Sequence, residues 1–213
     1  MGKYKNGING AFSGKIGNIV GASSHGVDYI RSVPDFRIDK PTPAQQKHRA
    51  KFGIVSSWFK PLKSVIEIGL QHKKDAKTSM NFAISLNFNR AVVVEGQDPT
   101  IDFPKVILSI GELFISVVSE FTSTIKQRVL VEWIDANASL LNNPDDKATF
   151  VIYNEQKKKY LTFSEIAVRA DKQVILQFPA SFSGSRIHCW MQYVSVKGDQ
   201  VSSTVYVGEI EVL

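Results

Sequence analysis

Residues 187–194 read Ile-His-Cys-Trp-Met-Gln-Tyr-Val and residues 202–207 read Ser-Ser-Thr-Val-Tyr-Val, with Lys197-Gly198-Asp199 between them. Both runs are rich in the β-branched and aromatic residues that strands prefer. The Lys-Gly-Asp tripeptide supplies turn chemistry, because glycine reaches a positive φ without steric cost. The two runs therefore predict an antiparallel β-hairpin near the end of the chain.

The same pattern extends upstream to about residue 99. Further strand-like segments lie near 103–110, 112–120, 125–135, 148–154, 160–169 and 172–178, and turn-forming residues such as Asn142-Asn143-Pro144-Asp145 separate them. Seven or eight short strands with regular turns predict an antiparallel β-sandwich of the immunoglobulin or fibronectin type over residues 99–213. We expect its largest core residues to be Trp133, Tyr153, Trp190 and Tyr193.

A helical segment is predicted before the sandwich. Its apolar stripe has spacings of three and four residues and consists of Phe52, Val55, Phe59, Leu62, Ile66 and Gly69. Thr42-Pro43-Ala44-Gln45 has the composition of a helix start, with proline at the first helical position. Pro61 falls inside the stripe and is expected to kink or split the helix. A second helical pattern runs from about Thr78 to Arg90.

The start of the chain is rich in glycine. Seven glycines precede Pro34, and two short β-type runs lie among them at residues 15–20 and 27–33. Ser24-His25-Gly26 between the runs is typical of a turn, so a β-hairpin is predicted. Glycines in strands often mark places where another backbone approaches closely. We expect residues 1–98, the hairpin and the amphipathic helices, to form an extension or docking region.

The charge is distributed unevenly along the chain. Residues 1–77 contain 14 Lys and Arg against 5 Asp and Glu, whereas residues 78–213 contain 12 against 15. A basic front and a mildly acidic back fit head-to-tail self-association or an anionic partner, and a solvated lysine-rich helix face gives the same count. The basic segment contains few arginines, and its aromatic residues fit a helical core, which argues against nucleic acid as the partner.

Catalytic and metal-binding patterns are absent from the sequence. Ser13-Gly14-Lys15-Ile16 lacks the first glycine and the final hydroxyl of a phosphate-binding loop. The four histidines have no partner at metal-ligand spacing, and Asp145-Asp146 fits a solvated loop. The single cysteine, Cys189, is expected to be a buried structural thiol. We therefore expect no enzyme, cofactor or metal site, although a Ser–His–Asp triad or a carboxylate pair built from distant residues stays open.

The location of the protein is predicted from what the chain lacks. Lys15 interrupts the only apolar stretch near the start, so no signal peptide is expected. No run of about 20 apolar residues is present, which argues against a transmembrane helix. We expect a protein that stays in the cytoplasm or is packaged from there into a particle.

Several stretches of the chain form a recognisable set: residues 7–21, Tyr29–Pro34, Pro41–Gln46, Arg49–Phe52, Ala148–Asn154, Arg169, Ser202-Ser203 and Tyr206–Gly208. Together they resemble a family of unknown function from Bacteroidota, the family numbered 6266. Members of that family usually have an aromatic residue where the first hairpin turns, whereas this chain has Ala22-Ser23-Ser24-His25. The resemblance supports the predicted organisation and implies no activity and no site residues.

The features together favour a non-catalytic structural or assembly protein. In this hypothesis the hairpin and helices dock on a second copy of the chain or on another structural protein. A component of a phage-like particle is one form of such a protein. Small residues permit such strand-edge docking. The candidate interface residues are Phe12, Lys15, Ile16, Asn18, Tyr29 and Arg31. The alternative is a ligand-binding module that recognises a glycan or protein through loops 136–147 and 181–186.

Overall fold

The computed structural model describes residues 2–3, 10, 12–24, 26–35, 39–72, 78–95, 98–135 and 142–213. It divides into two compact units, Met1–Thr42 and Pro43–Leu213. The first is called the N-terminal unit below and the second the main unit. The division falls after Thr42, whereas the sequence analysis placed a domain boundary at residues 98–99.

The N-terminal unit is a four-stranded antiparallel sheet of order β1-β4-β3-β2. Its strands are β1 (Gly2–Lys3), β2 (Gly14–Ile16), β3 (Ile19–Ser24) and β4 (Val27–Ser32). The run at residues 15–20 is therefore not one strand, because the chain turns at Gly17-Asn18 and pairs Ile16 with Ile19. Gly17 has a φ of +56°, which explains why a two-residue turn forms there. The predicted pairing of the two runs is confirmed as β3 with β4, and His25 in their turn lies outside the described residues.

The main unit begins with three helices. They are α1 (Pro43–Phe59), α2 (Lys63–Gly69) and α3 (Ser79–Arg90). A 3-10 turn at Lys60–Leu62 separates α1 from α2, so the predicted split at Pro61 is confirmed. Thr78 caps α3, since its hydroxyl accepts a hydrogen bond from the backbone N–H of Asn81 at 3.2 Å.

Two features between the helices and the sandwich differ from the prediction. Strands β5 (Val92–Glu95) and β6 (Asp98–Ile101) form a hairpin that the sequence analysis did not anticipate. Residues 103–110 do not form a strand, and a 3-10 turn at Phe103–Lys105 opens this stretch. Side chains hold its backbone instead. The Asn87 amide donates to the Ile107 carbonyl and accepts from the Ile107 N–H, both at 2.8 Å. The Thr204 hydroxyl accepts from the Ser109 N–H at 2.6 Å.

The remaining strands confirm the predicted antiparallel sandwich. They are β7 (Val117–Ile125), β8 (Arg128–Ile134), β9 (Lys147–Asn154), β10 (Lys159–Val168), β11 (Gln173–Gln177), β12 (Arg186–Val194) and β13 (Val205–Glu211). One sheet has the order β10-β9-β12-β13 and the other β11-β8-β7. The hairpin of β12 and β13 is the one that the opening sequence motif predicted.

The four-stranded sheet of the main unit has a hydrophobic core on each side. Phe150, Ile152 and Met191 pack with Trp133 of the second sheet, whereas Val151, Tyr153 and Trp190 pack with the helices. Neighbouring residues of a strand point to opposite faces, so β9 and β12 are buried almost along their whole length. The predicted core residues Trp133, Tyr153, Trp190 and Tyr193 are all buried.

Candidate interface

The six predicted interface residues all lie in the N-terminal unit, and the structure divides them between two faces of its sheet. Paired residues on adjacent strands share a face, and successive residues alternate. Lys15 pairs with Val20, which pairs with Arg31. Ile16 pairs with Ile19, so it lies on the opposite face from Lys15. The six residues therefore do not form one patch.

One face of this sheet is apolar over part of its area. Ile16, Ile19 and Ile30 lie on it, and Gly21 pairs with both Gly14 and Ile30. The same face carries polar residues at its margins, Ser32 paired with Ile19 and Asp28 paired with Ser23. Ile16 is 60% exposed and Ile19 is 41% exposed. We call this surface the apolar face. Branched aliphatic side chains beside glycine leave a shallow surface that another apolar surface can cover closely.

Phe12 explains why residue 21 is a glycine. A Cβ atom built on Gly21 would lie 2.3 Å from the Phe12 carbonyl oxygen and 2.7 Å from its ring. These distances are shorter than van der Waals contact, so a side chain at position 21 would displace Phe12. Phe12 therefore lies over Gly21 on the apolar face, and this close approach is what the glycine content of the segment led us to expect.

The opposite face is basic and polar. Lys15 and Arg31 lie on the same row of this face with Val20 between them, and Tyr29 lies on the next row beside Ala22. Lys15 and Arg31 are both exposed. We call this surface the basic face. Asn18 belongs to neither face, since it lies in the turn between β2 and β3, where its backbone carbonyl accepts a hydrogen bond from Val33 at 3.0 Å.

The described part of the N-terminal unit has little buried interior. Among its described residues only Gly21 is buried. Folding a chain costs roughly 1–2 kcal/mol of backbone entropy for each residue that becomes ordered, and burial of apolar surface is the main term that offsets it. A sheet that leaves Ile16 and Ile19 exposed lacks much of that compensation.

A buried arginine organises part of the main unit. Arg169 is 2% exposed, and its guanidinium donates to Asp146 at 3.1 Å, to Asp135 at 3.1 Å and to the Phe114 carbonyl at 2.8 Å. It also lies 3.9 Å from the ring centroid of Tyr193. Asp146 is therefore a buried ion-pair partner, and its interpretation as part of a solvated loop is wrong.

His188 and Cys189 lie on opposite sides of strand β12. The Cys189 thiol is fully buried in the sandwich core, and this burial raises its pKa. The prediction of a buried structural thiol is confirmed. His188 lies on the helix side, stacked 4.1 Å from the Phe103 ring, and burial lowers its pKa although Glu155 and Glu209 flank it. A buried thiol with a raised pKa is a poor nucleophile at neutral pH.

The described ranges contain neither a metal cluster nor a membrane-spanning helix. Within them, no group of three or more His, Cys, Asp or Glu side chains is arranged to hold a metal ion. No helix in the part of the chain that the structure describes is long and apolar enough to cross a membrane. Of the two loops proposed for ligand recognition, residues 136–141 lie outside the described residues, and the second contains a 3-10 turn at Ala180–Phe182.

The family model described as a family of unknown function, DUF6266, matches residues 11–208. The chain belongs to this family. The DUF6266 match begins inside the N-terminal unit and continues to β13, so both units are part of the family pattern. Arg169, which carried part of the resemblance, is the centre of the buried ion-pair network. No curated protein matches the chain.

Proposed function

We propose that the protein is a non-catalytic structural protein that assembles through its N-terminal unit. The partner is a second copy of the chain or a larger particle, of which a phage-like assembly is one form. This proposal places the protein in the cytoplasm or in the particle. The observation that carries it is the exposed apolar face, Ile16, Ile19 and Ile30 with Phe12 over Gly21, in a unit where Gly21 is the only buried residue among those described.

The edge of the sheet supports the same proposal. Among the described strands, β2 lies at one edge of the N-terminal sheet and all three of its residues are exposed. Unpaired backbone groups on an edge strand pair readily with another chain, unless charge or a cover prevents it. Because β2 has three residues and includes Lys15, an added strand would pair over only a short length, and the apolar face carries more of the proposal than the edge does.

Self-association is tested first, by light scattering on the full chain over a range of concentrations. We expect the mass to rise above that of the monomer, and Ile16→Asp to return it towards the monomer because a carboxylate would be buried without a partner. Ile125→Asp is the matched control, since Ile125 lies in β7 and is 53% exposed, close to the 60% of Ile16. A monomeric mass at every concentration, the same in all three proteins, would contradict self-association.

The alternative function, recognition of a glycan or protein through loops 136–147 and 181–186, stays a prediction. It differs from assembly in one measurable respect. Binding to a glycan array or a captured partner would survive Ile16→Asp, because those loops belong to the main unit. Assembly through the apolar face would not survive that substitution.

A further inference from the structure

The main unit contains an open cleft of about 590 Å³ beside the helix-side core. Residues Ile54 and Trp58 of α1 form one side, and Thr100 and Ile101 of β6 form another. The turn between β9 and β10 contributes Glu155 and Lys158 to the lining of the cleft. Small-molecule sites usually measure roughly 300–1,000 Å³ and combine apolar walls with a few polar groups, so this cleft has the size and composition of such a site.

An aromatic cluster forms the wall of the cleft. The rings are those of Trp58, Phe103, Tyr153 and Tyr160. Trp58 packs edge-on against Tyr153 at 5.6 Å and against Tyr160 at 5.4 Å between centroids. The Tyr160 hydroxyl donates to the Trp58 carbonyl at 2.8 Å. These contacts fix the wall before any ligand arrives, which lowers the entropy cost of binding.

The rings of the wall pack against one another. Tyr153 and Tyr160 are 4.8 Å apart and Phe103 and Tyr153 are 5.4 Å apart between centroids. These distances leave no space for a ligand between two of these rings, so a ligand lies against the wall.

One polar group of the wall lacks a partner. The indole N–H of Trp58 is buried and has no hydrogen-bond acceptor among the described residues. The other two indoles are paired, Trp133 with the Arg169 carbonyl at 3.0 Å and Trp190 with the Phe103 carbonyl at 3.3 Å. An indole N–H only donates, so the Trp58 N–H is the indole group of the main unit that a ligand acceptor would satisfy once the side chain shifts to expose it.

The charges of the cleft identify the ligand further. Glu155 and Lys158 are its two charged lining residues. A simple anion would leave Glu155 unpaired beside it, and a simple cation would do the same to Lys158. A molecule with both charges satisfies both residues. Lys157 is not available for this pairing, because its ammonium group donates to the Ser181 carbonyl.

We propose that the cleft binds a small zwitterion with an apolar body, such as an aromatic amino acid. Its ammonium group faces Glu155, its carboxylate faces Lys158, and its apolar body lies against Trp58 and the tyrosines. This site belongs to the main unit alone and is independent of assembly through the N-terminal unit. The helical pattern assigns the aromatic residues of this segment to a core, and no local pattern indicates the cleft, since the residues that form it are spread from position 54 to position 160.

Three probes test the proposal with the full chain: L-phenylalanine, 3-phenylpropionate without the ammonium group, and phenethylamine without the carboxylate. Binding is followed by the NMR resonances of the three indole N–H groups. We expect phenylalanine to shift the Trp58 resonance and to leave that of Trp133 in place. Each singly charged analogue should bind at least about fivefold more weakly, the size expected when one partly exposed charge pair is lost.

Two substitutions assign the charges. Lys158→Met should weaken phenylalanine about fivefold and leave phenethylamine unchanged, and Glu155→Gln should weaken phenylalanine similarly and leave phenylpropionate unchanged. Lys157→Met and Glu209→Gln are the matched controls, because Glu209 flanks His188 at 3.9 Å as Glu155 does at 3.7 Å. Equal affinity for the three probes, equal losses in the control variants, or no Trp58 shift at about 10 mM phenylalanine would overturn the proposal.

Discussion

The N-terminal unit and the main unit are both built largely from antiparallel strands, yet they differ in what lies beneath those strands. The main unit buries Phe150, Ile152 and Met191 on one side of a sheet and Trp190 on the other. The N-terminal unit leaves Ile16 and Ile19 exposed. Strand pairing alone is marginal in water without a packed face. The main unit is stabilised by its own two cores, and we propose that the N-terminal unit gains its stability from a partner surface.

The largest effect is expected at the buried ion pair of the main unit. Arg169→Ala leaves Asp146, which is 1% exposed, buried without its cation. Removing one member of a buried pair costs about 3–5 kcal/mol of unfolding free energy. Urea denaturation of the full chain measures this loss.

Arg186→Ala is the matched control for that substitution. Arg186 approaches Glu209 at 4.0 Å, but both side chains are more than half exposed, so the expected change is below about 1 kcal/mol. Equal effects of Arg169→Ala and Arg186→Ala would show that the buried network does not stabilise the main unit.

An isoleucine-to-alanine substitution in each unit compares their packing directly. Ile152→Ala removes a fully buried side chain from the sandwich core, and we expect it to cost about 2–5 kcal/mol. Ile16→Ala, measured at a concentration where the protein is monomeric, should change the unfolding free energy by less than about 0.5 kcal/mol. A large loss from Ile16→Ala in the monomer would mean that the N-terminal unit packs without a partner, and the comparison would fail.

The smallest effect concerns the pH dependence of the main unit. Burial lowers the pKa of His188 below its usual 6.5, so below about pH 6.5 the unfolded chain binds a proton that the folded chain does not. The contribution of neutral His188 is therefore fully present above pH 6.5 and is lost as the pH falls towards its folded pKa. The charges of Glu155 and Glu209 raise the His188 pKa, and the charge of Arg186 lowers it further. The Tyr206 hydroxyl forms a hydrogen bond with His188 Nδ1 at 2.8 Å.

His188→Gln tests this sign. Urea denaturation at about pH 7.5 and about pH 5.5 should show a smaller loss of stability on acidification for the variant than for the natural chain. The comparison between the two proteins removes the effect of the carboxylates, which titrate in both. A larger loss in the variant would reverse the sign and contradict the burial argument.

Much of the fold was predictable because it depends on local patterns. The hairpin of β12 and β13 follows from its strand-forming residues and its Lys-Gly-Asp turn. Pro61 splits the helix because proline has no backbone N–H to donate and its ring clashes with the preceding turn. The opposite faces of Lys15 and Ile16 were also predictable, since neighbouring residues of a strand alternate. The six candidate interface residues were named without assigning them to faces of the sheet.

The parts that could not be predicted depend on contacts between distant residues. Residues 103–110 have strand-like composition, but the side chains of Asn87 and Thr204 bond their backbone instead. The Arg169 network joins residues from 114 to 193, and no local spacing indicates it. The aromatic cleft likewise becomes visible only when α1 packs against β9 and β10.

Amide hydrogen exchange of the full chain, at low and at high protein concentration, tests the claim that the N-terminal sheet lacks an adequate core of its own and is completed by a partner. We predict that amides in β3 and β4 exchange much faster than those in β9 and β12 in dilute solution, and that they alone become protected as the concentration rises. Protection of β3 and β4 equal to that of β9 in dilute solution, unchanged by concentration, would contradict the claim.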